Sequence, residues 1–175
     1  ILEQNALEQR GHAIESRIYA EDPANNFFPS LGGIHFMKNP EGPGVRVDSG
    51  IYSGYDVSRF YDPILSKLIT WGEDREISRK RMICALENYI IMGIETTIPF
   101  LKSVMSHADF TAGKTTTDFI DRNFKKWNNQ KNSEEIIPAL IAAAVCSQAR
   151  EEESTYRKRK MFNPWLTVGN WQVGE

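Results

Sequence analysis

Four side chains at period-two spacing, Glu15, Arg17, Tyr19 and Glu21, are the part of this chain best equipped for chemistry. They alternate with Ile14, Ser16, Ile18 and Ala20, so residues 14–21 read as a strand with one packed face and one polar face. Asp22-Pro23 then stops the ladder, because proline brings no N–H to it. An arginine flanked by two glutamates has two readings. One is a solvated face with exposed ion pairs, which are common and contribute little. The other is a guanidinium held by its carboxylates to receive an anion or a developing negative charge. Spacing alone leaves both open.

The surrounding elements must place that face. Residues 1–10 are a polar lead-in. Residues 22–33 carry two prolines, two asparagines and two glycines and read as a loop, with Phe27 and Phe28 pinning it to the core. Strands are expected over 33–38, 45–48 and 51–57, with a turn at 39–44. The apolar run Ile64–Trp71 reads as a buried strand. Helices follow. Asp74 is the expected N-cap of a helix over 75–92, with Met82, Leu86, Tyr89 and Ile90 on its buried stripe and Gly93 as the left-handed residue that ends it. A second helix is expected near Thr97, with Pro99 in its first turn and Ile98, Leu101, Val104 and Met105 buried. A third follows Thr115–Thr117, with Phe119, Ile120, Phe124 and Trp127 apolar. A fourth is expected over 136–150, then a charged run over 150–160 whose signs nearly cancel and a strand-like ending. The fold expected is α+β: an antiparallel sheet over about residues 10–71, packed with C-terminal helices.

Composition sets the outer limits. The chain has 175 residues, 41% hydrophobic and 25% charged, with a formal net charge of −2. Such a chain suits a globular domain and lacks the positive field that draws nucleic acid or a membrane surface. No apolar run approaches the roughly 18 residues of a membrane span. Cys84 and Cys146 stand in apolar helical stretches and read as buried thiols. His12, His35 and His107 are scattered, so no metal site is expected. Gly42 and Gly44 lack the spacing of a phosphate loop. The chain opens at Ile1 without a signal peptide and reads as a piece of a longer polypeptide.

Several stretches, taken in order, resemble the C-terminal domain of biotin carboxylase, the ATP-grasp component of the biotin-dependent carboxylases. They are Arg10 to Pro23 (Arg-Gly-His-Ala-Ile-Glu-Ser-Arg-Ile-Tyr-Ala-Glu-Asp-Pro), Phe28-Pro-Ser-Leu-Gly32 and Gly44-Val-Arg-Val-Asp48. Further on come Tyr61-Asp-Pro-Ile-Leu-Ser-Lys-Leu-Ile69, Gly72-Glu-Asp-Arg75, Gly93-Ile-Glu-Thr-Thr97 and Phe110 to Thr117. The resemblance covers about residues 10–125. It implies a biotin carboxylase domain over 1–126, a helical extension over 127–160 and the start of a further domain over 161–175.

The resemblance also implies a reaction. ATP activates bicarbonate as carboxyphosphate, carbon dioxide is released, and the deprotonated ureido nitrogen of carrier-bound biotin attacks it. Arg17 stands at the family's catalytic position and would stabilise the biotin enolate. Glu15 and Glu21 would orient Arg17, and Asp62 would lie at the biotin end of the site. Thr116 and Thr117 would pass near the adenine of ATP, and Arg46 would lie at a homodimer interface. ATP, Mg2+ and biotin are the implied cofactors, with the metal ligands outside this stretch. A biotin carboxyl carrier and a carboxyltransferase are the implied partners. The expected location is the cytoplasm, or the mitochondrial matrix in a eukaryote. The alternative is a structural or dimerisation module of a pyruvate or urea carboxylase, with the chemistry in N-terminal domains.

Overall fold

The computed structural model describes residues 3–125 together with 127 and 141. The expected fourth helix, the charged run, the closing strand and Cys146 lie outside those residues. The chain divides into two units, Ile1–Asn129 and Gln130–Glu175, and the account that follows concerns the first.

After a short 3-10 turn at Gln4–Ala6, the strands are β1 (His12–Tyr19), β2 (Glu21–Asp22), β3 (Phe28–Pro29), β4 (Gly32–Gly33), β5 (Phe36–Lys38), β6 (Val45–Ser49), β7 (Asp56–Val57) and β8 (Ile64–Gly72). Helix α1 (Arg75–Asn88) follows, then β9 (Ile90–Met92) and helices α2 (Ile98–Ser106), α3 (Ala108–Thr111) and α4 (Phe119–Phe124). The α+β class holds. In place of one continuous sheet there is a three-stranded antiparallel sheet in the order β1-β8-β6, with three two-stranded ribbons, β2-β3, β4-β7 and β5-β9.

Period two organises the sheet. Ser16, Ile18 and Ala20 are buried along the β1 segment, and Leu68 and Thr70 lie on the same inner side of β8. The outer side keeps Glu15, Arg17, Lys67, Trp71, Arg46 and Asp48 exposed, so β8 is a half-buried strand and not the fully buried one expected. Helix α1 covers the inner side. Its buried residues Ser78, Met82, Ala85 and Leu86 recur at helical spacing. Asp74 caps it as expected, its carboxylate accepting from the Ile77 N–H at 2.8 Å. Thr70 and Ser78 tie helix to strand, each hydroxyl donating to the other's backbone carbonyl at 3.0 Å. A second apolar group joins Phe100, Val104 and Phe119, with Phe110, Phe124 and Trp127 packed against it.

Several expectations need correction. Helix α1 stops at Asn88, and Ile90–Met92 becomes a strand paired with Phe36–Lys38. Ile90 is therefore exposed, and Gly93 ends a strand and not a helix. Gly93 is still required: its φ is +114°, and a Cβ there would collide with the Gly33 carbonyl oxygen. Only Asp56–Val57 of the expected 51–57 strand pairs, because a turn closes earlier, with Tyr55 N–H donating to the Tyr52 carbonyl at 3.0 Å. The 33–38 strand is divided between two ribbons. Phe27 pins its loop, meeting Phe100 edge-on at 5.0 Å between ring centroids, whereas Phe28 is 68% exposed. Cys84 is exposed on α1, and Ile120 is also exposed.

Candidate functional site

The outer face of the three-stranded sheet forms a grid. Arg17 on β1 lies opposite Lys67 on β8, which lies opposite Asp48 on β6. The neighbouring row runs Glu15, Ile69, Arg46. Strand spacing sets the Arg17 and Asp48 backbones about 10 Å apart, with β8 between them.

Arg17 Nε donates to Glu15 Oε1 at 3.3 Å, both side chains being exposed. The adjoining Tyr19 phenol, and then Glu15, hold the guanidinium above its ordinary pKa. Glu15 takes Nε, one of the five N–H donors of the planar fork. Glu21, the second expected orienting residue, is not among the ion-pair partners of Arg17 in the described residues. It lies beyond a register shift after Ile18, on the β2-β3 ribbon opposite Pro29. Partial burial pushes its carboxyl upward. Tyr19, two residues after Arg17 on the same strand, is the other neighbour that raises the Arg17 pKa.

Arg46 forms a two-pronged pair with Asp48, Nε to Oδ1 at 2.9 Å and Nη2 to Oδ2 at 2.8 Å. Hydrogen bonding by Arg46 holds the Asp48 carboxyl below the usual range. The Arg46 side chain stays 73% exposed despite that pairing.

Asp62 lines a cavity of about 370 Å³ with Tyr55, Tyr61 and Pro63. A neighbouring cavity of about 310 Å³ is lined by Asp48, Ser66 and Lys67, and the two share Tyr55, Ile64 and Leu65. The Ala20 N–H donates to the Pro63 carbonyl at 2.8 Å, which brings the Asp62 turn to the end of β1. Asp62 thus shares an end of the sheet with Glu21 without bonding to Arg17. Thr116 and Thr117 are exposed on the turn before α4. Thr116 donates its hydroxyl to Asp118, which lowers the Asp118 pKa. Among the described residues no three His, Cys, Asp or Glu side chains group as a metal site.

Two residues of this region carry no signal in the local pattern of β1. Lys67 lies directly opposite Arg17 on β8, and the alternation Lys67, Ile69, Trp71 is the pattern that places it there. Thr97 contacts Tyr19 from 78 residues away, and nothing in the local sequence announces it.

Residues 15–122 match the family model described as the biotin carboxylase C-terminal domain. The chain belongs to that family. All seven expected site residues, Glu15, Arg17, Glu21, Arg46, Asp62, Thr116 and Thr117, fall inside the match. This biotin carboxylase C-terminal domain is 45% identical over 120 residues to biotin carboxylase 1 of Bacillus subtilis, an alignment spanning 69% of this chain and 27% of that protein. It is 45% identical over 171 residues to the human mitochondrial propionyl-CoA carboxylase alpha chain, spanning 93% of this chain and 23% of that one. Among solved structures it is similar to the biotin carboxylase domain dimer of Hydrogenobacter thermophilus 2-oxoglutarate carboxylase, in complex with MgADP, ADP and bicarbonate. The TM-score is 0.68 at 40% identity, covering 69% of this chain and 27% of that one. The chain spans about a quarter of the length of these relatives.

Proposed function

We propose that this domain forms the Arg17 wall of a biotin carboxylase site, in an enzyme that carboxylates carrier-bound biotin with ATP and bicarbonate. The exposed, propped guanidinium of Arg17 inside the matched family region carries the reading. When bound, biotin supplies the ureido group that takes up carbon dioxide. The residues here fit its polar end: a planar, permanently charged donor meets a carbonyl-type oxygen, and Glu15 holds that donor in place. Arg17 would stabilise negative charge developing on that oxygen. Asp62, at the same end of the sheet, is assigned to the biotin side, and Glu21 to the polar wall beside it. Thr116 and Thr117 are assigned to the nucleotide side. ATP and Mg2+ are assigned mainly to the remainder of the enzyme.

The partners proposed are a biotin carboxyl carrier, a carboxyltransferase component and a second copy of the domain meeting near Arg46. The location proposed is cytoplasmic, or the mitochondrial matrix in a eukaryote. The exposed Arg46–Asp48 pair supports a second reading, in which the domain serves chiefly as a dimerisation module of a pyruvate or urea type carboxylase.

The test is Arg17→Ala in the full-length enzyme. Biotin carboxylation should fall by about two to three orders of magnitude, the usual effect of losing an oxyanion-stabilising donor, with thermal stability nearly unchanged. A folding defect with normal turnover per folded molecule would favour the dimerisation reading. The domain alone is expected to show no bicarbonate-dependent ATPase activity.

A further inference from the structure

We propose that Thr97, 78 residues beyond Tyr19 in the chain, is a positioning residue for Arg17 that acts by clamping the backbone of Tyr19. This rests on the Arg17 reading above and names how that residue is held. The register of β1 on β8 shifts between Ile18 and Tyr19, from Ile18 opposite Ser66 to Tyr19 opposite Ile64. Such an irregularity loosens the ladder and lets a strand end turn. Just past that shift, Thr97 holds both backbone polar groups of Tyr19. The Tyr19 N–H donates to Thr97 Oγ1 at 3.0 Å, and the Thr97 N–H donates to the Tyr19 carbonyl at 3.1 Å.

A second observation points the same way. Thr97 is the N-cap of α2, where a threonine hydroxyl ordinarily accepts from an N–H of the first helical turn. Here the side chain makes no capping bond. The helix forgoes its cap, and the hydroxyl serves β1. Thr97 is 4% exposed and β-branched, so it offers a rigid, dry clamp. Tyr19 follows Arg17 by two residues on the same face of the sheet, next to the guanidinium. Fixing the Tyr19 backbone therefore fixes the neighbour against which Arg17 rests.

The experiment compares Thr97→Val, Thr97→Ser, Arg17→Ala and Thr97→Val/Arg17→Ala in the full-length carboxylase, with rates per folded enzyme. Free biotin is the carboxyl acceptor, and bicarbonate-dependent ATP hydrolysis without biotin is the reference. Valine keeps the shape and removes the acceptor. Thr97→Val should lower kcat for biotin carboxylation about 10- to 100-fold, the scale of an ångström-level misplacement, and leave the biotin-independent hydrolysis unchanged. Thr97→Ser keeps the acceptor and should restore carboxylation. The double variant should be no slower than Arg17→Ala. If Thr97→Val is not recovered folded, Thr97→Ala takes its place with the same expectations. The proposal is overturned if Thr97→Val carboxylates biotin at the wild-type rate, if both activities fall together, or if the two losses multiply in the double variant. Should Arg17→Ala leave carboxylation intact, the Arg17 reading falls and this proposal with it. A loss in Arg17→Ala alone removes only the role of Thr97.

Discussion

The buried hydroxyl pair of Ser66 and Tyr89 offers a quantitative test of how β8 is held against the end of α1. Ser66 is 3% exposed and Tyr89 4%, and their hydroxyl oxygens stand 2.8 Å apart. Tyr89→Phe strands the Ser66 hydroxyl, and Ser66→Ala removes the closest partner of the phenol. Each single change should cost about 1–3 kcal/mol, because an orphaned buried polar group loses its hydration without recompense. At roughly 4 °C per kcal/mol for a unit of this size, the melting temperature should fall by about 4–12 °C. The double variant removes both polar atoms together, so its loss should fall short of the sum by about 1 kcal/mol or more. Urea denaturation of the four proteins at neutral pH measures this directly. A pH arm adds a second check. Burial raises the Tyr89 pKa, although hydroxyls of Ser66 and Ser49 pull it down. The unfolded phenol ionises at about pH 10, while the folded one keeps its proton. Its contribution is therefore present below that pH and is lost as pH rises through the folded pKa. Tyr89→Phe should lack that component of the alkaline decline. Strictly additive losses, together with an unchanged alkaline decline in Tyr89→Phe, would refute the reasoning.

Three other outcomes follow from single features. The Glu76 carboxyl, held at about 2 chiefly by its hydrogen bonds from Arg79, should lend stability above pH 4.5 that is lost as pH falls toward 2; Glu76→Gln should flatten the acid limb of a stability-versus-pH curve over that interval. Gly93→Ala, forced into a φ of +114° against the Gly33 carbonyl, should destabilise by at least about 1–3 kcal/mol in thermal melts. Arg46→Glu breaks the pairing with Asp48 and places like charges on one strand face; sedimentation of the full-length enzyme should show monomers, and an unshifted dimer would count against Arg46 as an interface residue.

How far the sequence can be read depends on whether a feature is local. The alternation of β1 is legible because one face is buried and the other is not, and Asp74 is legible because capping is settled within three residues. The end of α1 is not, because Tyr89 and Ile90 fit a helical stripe as well as a strand. Only the pairing of Ile90–Met92 with Phe36–Lys38, more than 50 residues earlier, decides between them. Helix α3 has four residues, too few to display a period. Exposure of Arg17 follows from alternation, yet its proposed role comes from the family resemblance. The register shift after Ile18, beyond which Glu21 lies, cannot be seen in β1 alone.

The long reach between Tyr19 and Thr97 also bears on synthesis. The strand bearing Arg17 emerges from the ribosome 78 residues before the threonine that secures its end. At about 5–20 residues per second, roughly 4–16 s separate the two. During that interval β1 also waits for β8, its ladder partner among the described residues, to close a long loop. On that timing an apolar strand face and an open edge wait seconds for their partners, and the Tyr19 backbone gains its Thr97 bonds only after the start of α2 has been made.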